Sequence, residues 1–335
     1  MRRLLLPFLM AVAALTFAAC DKDDTTTEKR LTKVASLSYT QSWESGEINS
    51  TNGSFNEATL DWHNGHLLSF MDSLIVFTYD GDKIRSAILR EGSKPVHAEF
   101  SYDGDRVSQI YETTDTKWEL VKFTYNGQGE LILAEELNGK RITHLTWLDG
   151  NVTRIEKTRI LSSGDTSTTV FEYIYDNKHT VFAGFEPFAL LSGGGTFYLL
   201  SKNNVLRETR IEGPYTDVTD HIYTYDGDYP VTERTVYEDN GSSYQAQSFS
   251  TSYYRYSDGS GATLPKVVTI AANTNNDNYG EIYGDGQYTK GSTVALRVRP
   301  NYGYHFVSWS DGSTDNPRRL TATSDTTFTA VLAAN

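Results

Sequence analysis

From about Val34 to Tyr256 the chain alternates apolar and polar positions in short runs. Each run ends in an aromatic and is closed by a turn of Asp, Asn and Gly. The copies lie over one another: Leu60, Trp62, Asn64-Gly65; Phe77, Tyr79, Asp80-Gly81-Asp82; Phe100, Tyr102, Asp103-Gly104-Asp105; Phe123, Tyr125, Asn126-Gly127. Leu145, Trp147, Asp149-Gly150, then Tyr173, Tyr175, Asp176-Asn177, then Tyr223, Tyr225, Asp226-Gly227-Asp228 complete the set. In every copy an apolar residue stands two positions before the aromatic, which puts both on one face of a strand. Asp, Asn and Gly supply the left-handed backbone of a tight turn. An aliphatic residue resumes the pattern afterwards, at Leu67, Ile84, Val107, Val152 and Val231. The period predicts consecutive antiparallel hairpins and an all-β protein. A meander of hairpins has edges that must curl, close or be blunted, so the expectation is a curled sheet or open barrel.

The alternation fails between Thr180 and Asn204. Phe182, Phe185, Phe188, Leu190 and Leu191 follow no period of two, and Gly193, Gly194 and Gly195 stop the run. A short helix or capping loop is expected there, with large side chains that plug the open end of the curled sheet.

A second module begins after Gly259, Gly261 and Pro265. Its order is a glycine turn (Gly280, Gly284, Gly286), Tyr288, Gly291, a strand with Val294, Leu296 and Val298 alternating, and a Pro300-Gly303 turn. A strand with Phe306 and Trp309 and a final strand through Asp325, Thr327 and Ala330 follow. Phe306 and Trp309 are not two apart, which leaves room for a bulge or twist between them. This stretch, Val267 to Leu332, resembles the divergent internalin B-repeat. The resemblance implies a small β-grasp-like domain over 266–335 that serves as a spacer or adhesive module, without catalysis.

At the other end, Arg2 and Arg3 precede an apolar run from Leu4 to Ala19 that stops at the only cysteine, Cys20. The run is shorter than a membrane span and fits a secretory signal over 1–19. Phe17-Ala18-Ala19-Cys20 resembles the lipobox of bacterial lipoproteins, which implies acylation of Cys20 and anchoring of the chain to a membrane through its N-terminal lipid. More than one acyl chain makes such anchoring durable. The residues behind it, Lys22, Asp23 and Asp24 with Asp21, resemble the export signal by which Bacteroidota lipoproteins reach the outer leaflet. A plain solvated tether is the other reading. Residues 20–33 are polar and threonine-rich, too poor in apolar groups to order themselves. The Tyr-Asp pattern over 34–262 resembles the repeats of bacterial surface and toxin-shell proteins. It is closer still to an uncharacterised Bacteroidota lipoprotein family that carries an Asn-Asn element like Ser201, Asn203 and Asn204. That family brings no catalytic residue to carry over.

The 335 residues hold 30 basic and 43 acidic side chains, a net charge of −13, and removal of Arg2 and Arg3 makes the chain more negative still. Such a surface offers no footprint for nucleic acid. With Cys20 acylated, disulfides, thiolate zinc sites and a cysteine nucleophile are excluded. The 22 Tyr and 15 Phe leave aromatic packing as the main resource.

Candidate chemistry is sparse. His63 and His66 flank a two-residue turn with Asp61 near, but solvated turn histidines account for them without a metal. The Asp-Gly-Asp turns lack the further oxygens of a calcium loop. Glu135 and Glu136 point to opposite faces of a strand, unlike a glycosidase pair. No catalytic residue, metal or cofactor is expected. If Thr114-Asp115 forms a two-residue turn, Tyr111 and Trp118 stand opposite each other; they make either a sugar platform or part of the core, since Val107 and Leu120 share that face. Trp43 is a further candidate ring for ligand. The reading is therefore a lipid-anchored outer-membrane protein facing the cell exterior, non-enzymatic, that binds or adheres to a glycan or a protein. Its rivals are an assembly subunit of an envelope complex and a glycan-active hydrolase.

Overall fold

The computed structural model describes residues 29–44, 47–90, 94–113, 118–136, 140–181, 183–194, 196–238 and 246–335. Cys20, Lys22, Asp23 and Asp24 lie outside the described residues, as do Phe182 and Gly195.

The meander begins with β1 (Leu31–Glu44), β2 (Glu47–His63), β3 (His66–Phe70), β4 (Ile75–Asp80), β5 (Lys83–Leu89), β6 (Val96–Asp103) and β7 (Arg106–Glu112). It continues through β8 (Trp118–Tyr125), β9 (Leu131–Glu136), β10 (Arg141–Leu148), β11 (Asn151–Ile160), β12 (Thr166–Tyr175) and β13 (Val205–Glu212). It ends with β14 (Tyr215–Asp226), β15 (Tyr229–Glu238) and β16 (Ala246–Tyr256). Each strand pairs with the next, and β1 pairs with β16, so the meander is a closed antiparallel barrel of 16 strands. The expected open or curled sheet is thereby corrected. The closure is carried by groups more than two hundred residues apart: the Ser257 amide donates to the Arg30 carbonyl at 2.8 Å, and the Thr32 hydroxyl to the Arg255 carbonyl at 3.1 Å. Closing the ring removes the sheet edges altogether.

A ring of this many strands encloses more space than its own side chains fill. Here the break in the repeat fills it. Helix α1 (Glu186–Ser192) and a 3-10 turn (Phe197–Leu200) lie between β12 and β13. Phe185, Phe188, Ala189, Phe197 and Leu199 are all fully buried. They reach strands far apart around the ring: Phe188 meets Phe70 of β3 edge-on at 5.2 Å, Phe197 meets Phe123 of β8 at 6.3 Å, and Tyr198 stacks on Tyr173 of β12 at 5.2 Å. The insert is thus continuous with the barrel core of Leu67, Phe77, Ala87, Ile110, Ala134, Val152 and Ile155. The Ser201 to Asn204 element staples its end to the barrel. The Asn204 amide and side chain donate to Asp176 at 2.9 and 3.0 Å, and the Ser201 hydroxyl accepts from the Val152 amide at 2.9 Å.

The chain divides into two compact units. One comprises the residues up to Val34, Glu57–Glu233 and Tyr254–Ala262; the other comprises Ala35–Asn56, Arg234–Tyr253 and Thr263–Asn335. The second unit therefore takes hairpin segments of the meander in addition to the C-terminal module.

The second unit contains β17 (Val267–Thr274), β18 (Gly280–Tyr283), β19 (Gly286–Thr289), β20 (Thr293–Pro300), β21 (Tyr304–Trp309), β22 (Arg318–Thr321) and β23 (Thr326–Ala334). β17 runs parallel to β23 and antiparallel to β19, while β18, β20 and β22 form a separate three-stranded sheet. Val294, Leu296 and Val298 are buried on β20, as alternation requires, against Tyr288, Trp309 and Leu332. The register shifts between Phe306 and Ser308, which places the bulge where the sequence left room for one. Gly286 and Gly53 pair in parallel so closely that a Cβ on Gly286 would sit 2.2 Å from the Gly53 carbonyl oxygen.

Candidate functional site

The repeat has a purpose beyond making hairpins. The aromatic that ends a run carries a polar hydrogen, which in seven cases bonds the first core residue of the hairpin before it, while Tyr225 donates to the Asp176 carboxylate. Tyr79 donates to the Leu67 carbonyl at 2.8 Å, Tyr102 to Ile84 at 3.1 Å and Tyr125 to Val107 at 2.9 Å. Trp62 donates to Leu31 at 2.6 Å, Trp147 to Leu131 at 2.7 Å, Tyr175 to Val152 at 2.7 Å and Tyr256 to Pro230 at 2.5 Å. The residue just before that carbonyl covers the ring: Arg30 over Trp62, Lys83 over Tyr102 and Arg106 over Tyr125, at 5.5, 5.2 and 5.7 Å, and His66 against Tyr79 at 4.7 Å. A register shift accompanies each of the aromatics from Trp62 to Tyr175. The bulges re-aim the rings so that they reach sideways around one rim of the barrel.

Between two rungs of this rim lies a cup of about 180 Å³, lined by Gly65, His66, Tyr79, Asp82, Lys83, Ile84, Tyr102, Asp105, Val107, Gly184, Glu186 and Pro187. Nearly every polar group in it is committed to a neighbour. The Lys83 ammonium donates to the Gly104 carbonyl at 2.8 Å and pairs with Asp105 at 3.0 Å. His66 Nε2 meets Asp82 Oδ1 at 3.1 Å, and both phenols donate to backbone. Glu186, the first residue of α1, is the exception: its carboxylate has no hydrogen bond or ion pair among the described residues. It keeps surface open to solvent, yet the surrounding walls raise its pKa above the usual carboxylate value by desolvation. Its charge in turn raises the Tyr79 and Tyr125 phenols, whose largest perturbation is burial.

A second polar group is buried inside the barrel wall. Glu233 is 4 % exposed; its Oε1 lies 2.6 Å from His221 Nδ1 and accepts from Tyr223 at 3.2 Å, while Oε2 accepts from Tyr254. Burial opposes the charge on both partners. The bonds from His221, Tyr254 and Tyr223 outweigh it for Glu233, whose pKa falls, and the contact with Glu233 outweighs it for His221, whose pKa rises. This cluster is satisfied internally and reads as a structural lock between β14, β15 and β16.

Of the ring candidates, Tyr111 is half-buried and its hydroxyl bonds Gln109. The expected pairing of Tyr111 with Trp118 is corrected: Tyr111 stands opposite Glu119 and Glu112 opposite Trp118, with a shift after Ile110. Tyr111 and Trp118 are therefore not register partners. Residues 114–117, the expected turn, lie outside the described residues, and of Trp118 and Trp43 only the strand positions are described. Among the described residues no group of three His, Cys, Asp or Glu is placed to hold a metal ion. His63 stands opposite His66, and Asp61 accepts from Ser69 at 2.5 Å. The cup residues were not singled out as a site by sequence reasoning. The signal that could have marked them is the cationic or imidazole residue after each turn (His66, Lys83, Arg106) recurring beside the repeat.

Among solved structures, a porin-like protein from Bacteroides vulgatus ATCC 8482 is similar at 12% identity and a TM-score of 0.42, covering 68% of this chain and 99% of its own. A porin-like protein from Bacteroides uniformis ATCC 8492 is similar at 10% identity and a TM-score of 0.38, covering 68% and 96%. No curated protein matches the sequence. Residues 270–335 match the family model of the divergent InlB B-repeat domain, in agreement with the resemblance drawn from Gly280 to Ala330.

Proposed function

We propose that this chain is a non-enzymatic binding protein displayed at the cell surface, held to the outer membrane by lipid on Cys20 and exported through Lys22, Asp23 and Asp24. It engages an extracellular glycan or protein. The observation that carries the binding reading is the rim cup: among its lining residues, Glu186 is the one polar side chain with neither a hydrogen bond nor an ion pair to another described residue, and it is open to solvent. The B-repeat match over 270–335 supports a surface role. The parallel pairing of β17 with β23 supports a β-grasp-like strand arrangement for that module.

The distribution of polarity favours display over passage through lipid. Apart from the Glu233 cluster the barrel is filled by a mainly apolar core, while strand residues outside it form pairs such as Arg207 with Asp220 at 2.6 Å, Thr78 with Ser86 at 2.6 Å and Thr158 with Thr168 at 3.2 Å. A transmembrane barrel has the opposite arrangement, an apolar exterior around a polar lumen.

Two experiments test the reading. The soluble chain, with Cys20→Ser, is screened against glycan and matrix-protein arrays; binding to a defined ligand is expected, and silence on both arrays overturns it. Labelling with radioactive palmitate tests the anchor. Incorporation that disappears with Cys20→Ser is expected, and unchanged membrane fractionation of that variant rules the anchor out.

A further inference from the structure

The chemistry of the cup selects among possible partners. Its charges are one lysine against three carboxylates, Asp82, Asp105 and Glu186, so an anionic sugar or phosphate is repelled and a cation is favoured. A neutral sugar needs several free donors and acceptors at once, but His66, Lys83, Tyr79 and Tyr102 already spend theirs on Asp82, on Asp105 and Gly104, and on backbone carbonyls. What remains are carboxylate acceptors and no free donor: Glu186, uncommitted and set among apolar walls from Ile84, Val107 and Pro187 and the two tyrosine rings, with the second oxygens of Asp82 and Asp105. An alkyl stem that ends in an ammonium group matches that arrangement, because lysine lays its methylenes along apolar surface while its head seeks an acceptor.

We propose that the rim cup binds a lysine side chain presented by a partner polypeptide, with the Glu186 carboxylate accepting from its ammonium group. This rests on the reading of the protein as a binder and names the class of partner, a protein in place of a glycan. Gly65 and Asp82, from the exposed turns that follow β2 and β4, line the cup, so an extended or looped segment can offer the side chain without entering the barrel.

The probe is Nα-acetyl-L-lysine N-methylamide, titrated into the isotope-labelled Cys20→Ser chain while the amide resonances of Gly65, Ile84 and Gly184 are followed. Saturable shifts confined to these amides are expected. Acetylation of the probe's ε-nitrogen, or Glu186→Gln in the protein, should weaken binding by about tenfold or more, the effect of losing one charge-assisted hydrogen bond. Glu186 holds no other group in place, so Glu186→Gln should melt as the parent does, and its amide spectrum verifies the fold. The proposal is overturned if the ε-acetylated probe binds equally, if Glu186→Gln leaves affinity unchanged, if glucosamine titrates the same amides more tightly than the lysine probe, or if no shifts occur. A positive array screen with a silent cup leaves the binding function standing and moves the contact elsewhere; silence in both removes both.

Discussion

The Tyr102 hydroxyl donates to the Ile84 carbonyl at 3.1 Å, eighteen residues back along the chain, and the same relation joins Tyr125 to Val107. Each hairpin is therefore tied to its predecessor by a side chain as well as by the sheet ladder. Replacing Tyr102 by Phe keeps the ring and removes only the donor. It should cost about 1 kcal/mol, the usual worth of one such bond, and chemical denaturation reads it. A Tyr102→Phe, Tyr125→Phe pair that loses nothing would show the rim ladder to be incidental.

Filling the barrel makes a larger demand. Phe188 is fully buried, 5.2 Å from Phe70 and 6.3 Å from Phe185. Phe188→Ala should destabilise by about 3 to 5 kcal/mol, the range for an aromatic truncated in a packed core. Deleting the insert between β12 and β13 should expose apolar surface, read by dye binding and association. A deletion that stays monomeric and equally stable would mean that the ring closes without its filling.

Glu233 and His221 make stability depend on pH. Glu233 has its folded pKa below the ordinary carboxylate value, so its contribution is present above about 4.5 and is lost as pH falls through the lowered value. His221 has its folded pKa above 6.5, so its contribution is full below that value and is lost as pH rises through the raised one. Glu208 and Asp220 also face His221 and favour its charged form. The pair therefore contributes most between about 4.5 and 6.5, and Glu233→Ala should cost about 3 to 5 kcal/mol, as for breaking a buried ion pair. Melting curves across pH check both, and a His221 resonance that titrates at or below 6.5 would contradict the pairing.

In the second unit, Gly286 has φ of 148° and no room for a side chain, since a Cβ would meet the Gly53 carbonyl at 2.2 Å. Gly286→Ala should cost more than about 1 kcal/mol through backbone conformation and crowding together. Amide exchange should then rise at Gly53 and along β19. Unchanged protection there would mean that the close approach is dispensable.

Much of the hairpin repeat was legible because its determinants are local. The Asp80-Gly81 and Asp103-Gly104 turns carry their own backbone preference, with φ of 60° at both glycines. Phe77 and Tyr79 announce a strand face two residues at a time. The break from Thr180 to Asn204 showed as lost alternation, and the bulge near Phe306 as a spacing that does not fit. The barrel bulges left a trace that was not read. On the strand after each turn, the buried residues are three apart, as at Leu67 and Phe70, Ile84 and Ala87, Val107 and Ile110, Val152 and Ile155. That spacing is the extra residue of a bulge opposite each aromatic; a separate register shift follows Ile110, and there Tyr111 stands opposite Glu119.

Local turn chemistry and side-chain alternation were thus enough to specify antiparallel hairpins, an interruption in them and the likeness of the C-terminal stretch to a B-repeat, since each depends on residues within a few positions of one another. Closure of β1 onto β16, the filling of the ring by Phe185 to Leu199, and the gathering of His66, Lys83 and Glu186 around one cup arise only in three dimensions. These contacts join groups from tens to more than two hundred residues apart, and alternation along a strand carries no information about which distant strand completes the circle or which side chains gather in the cup.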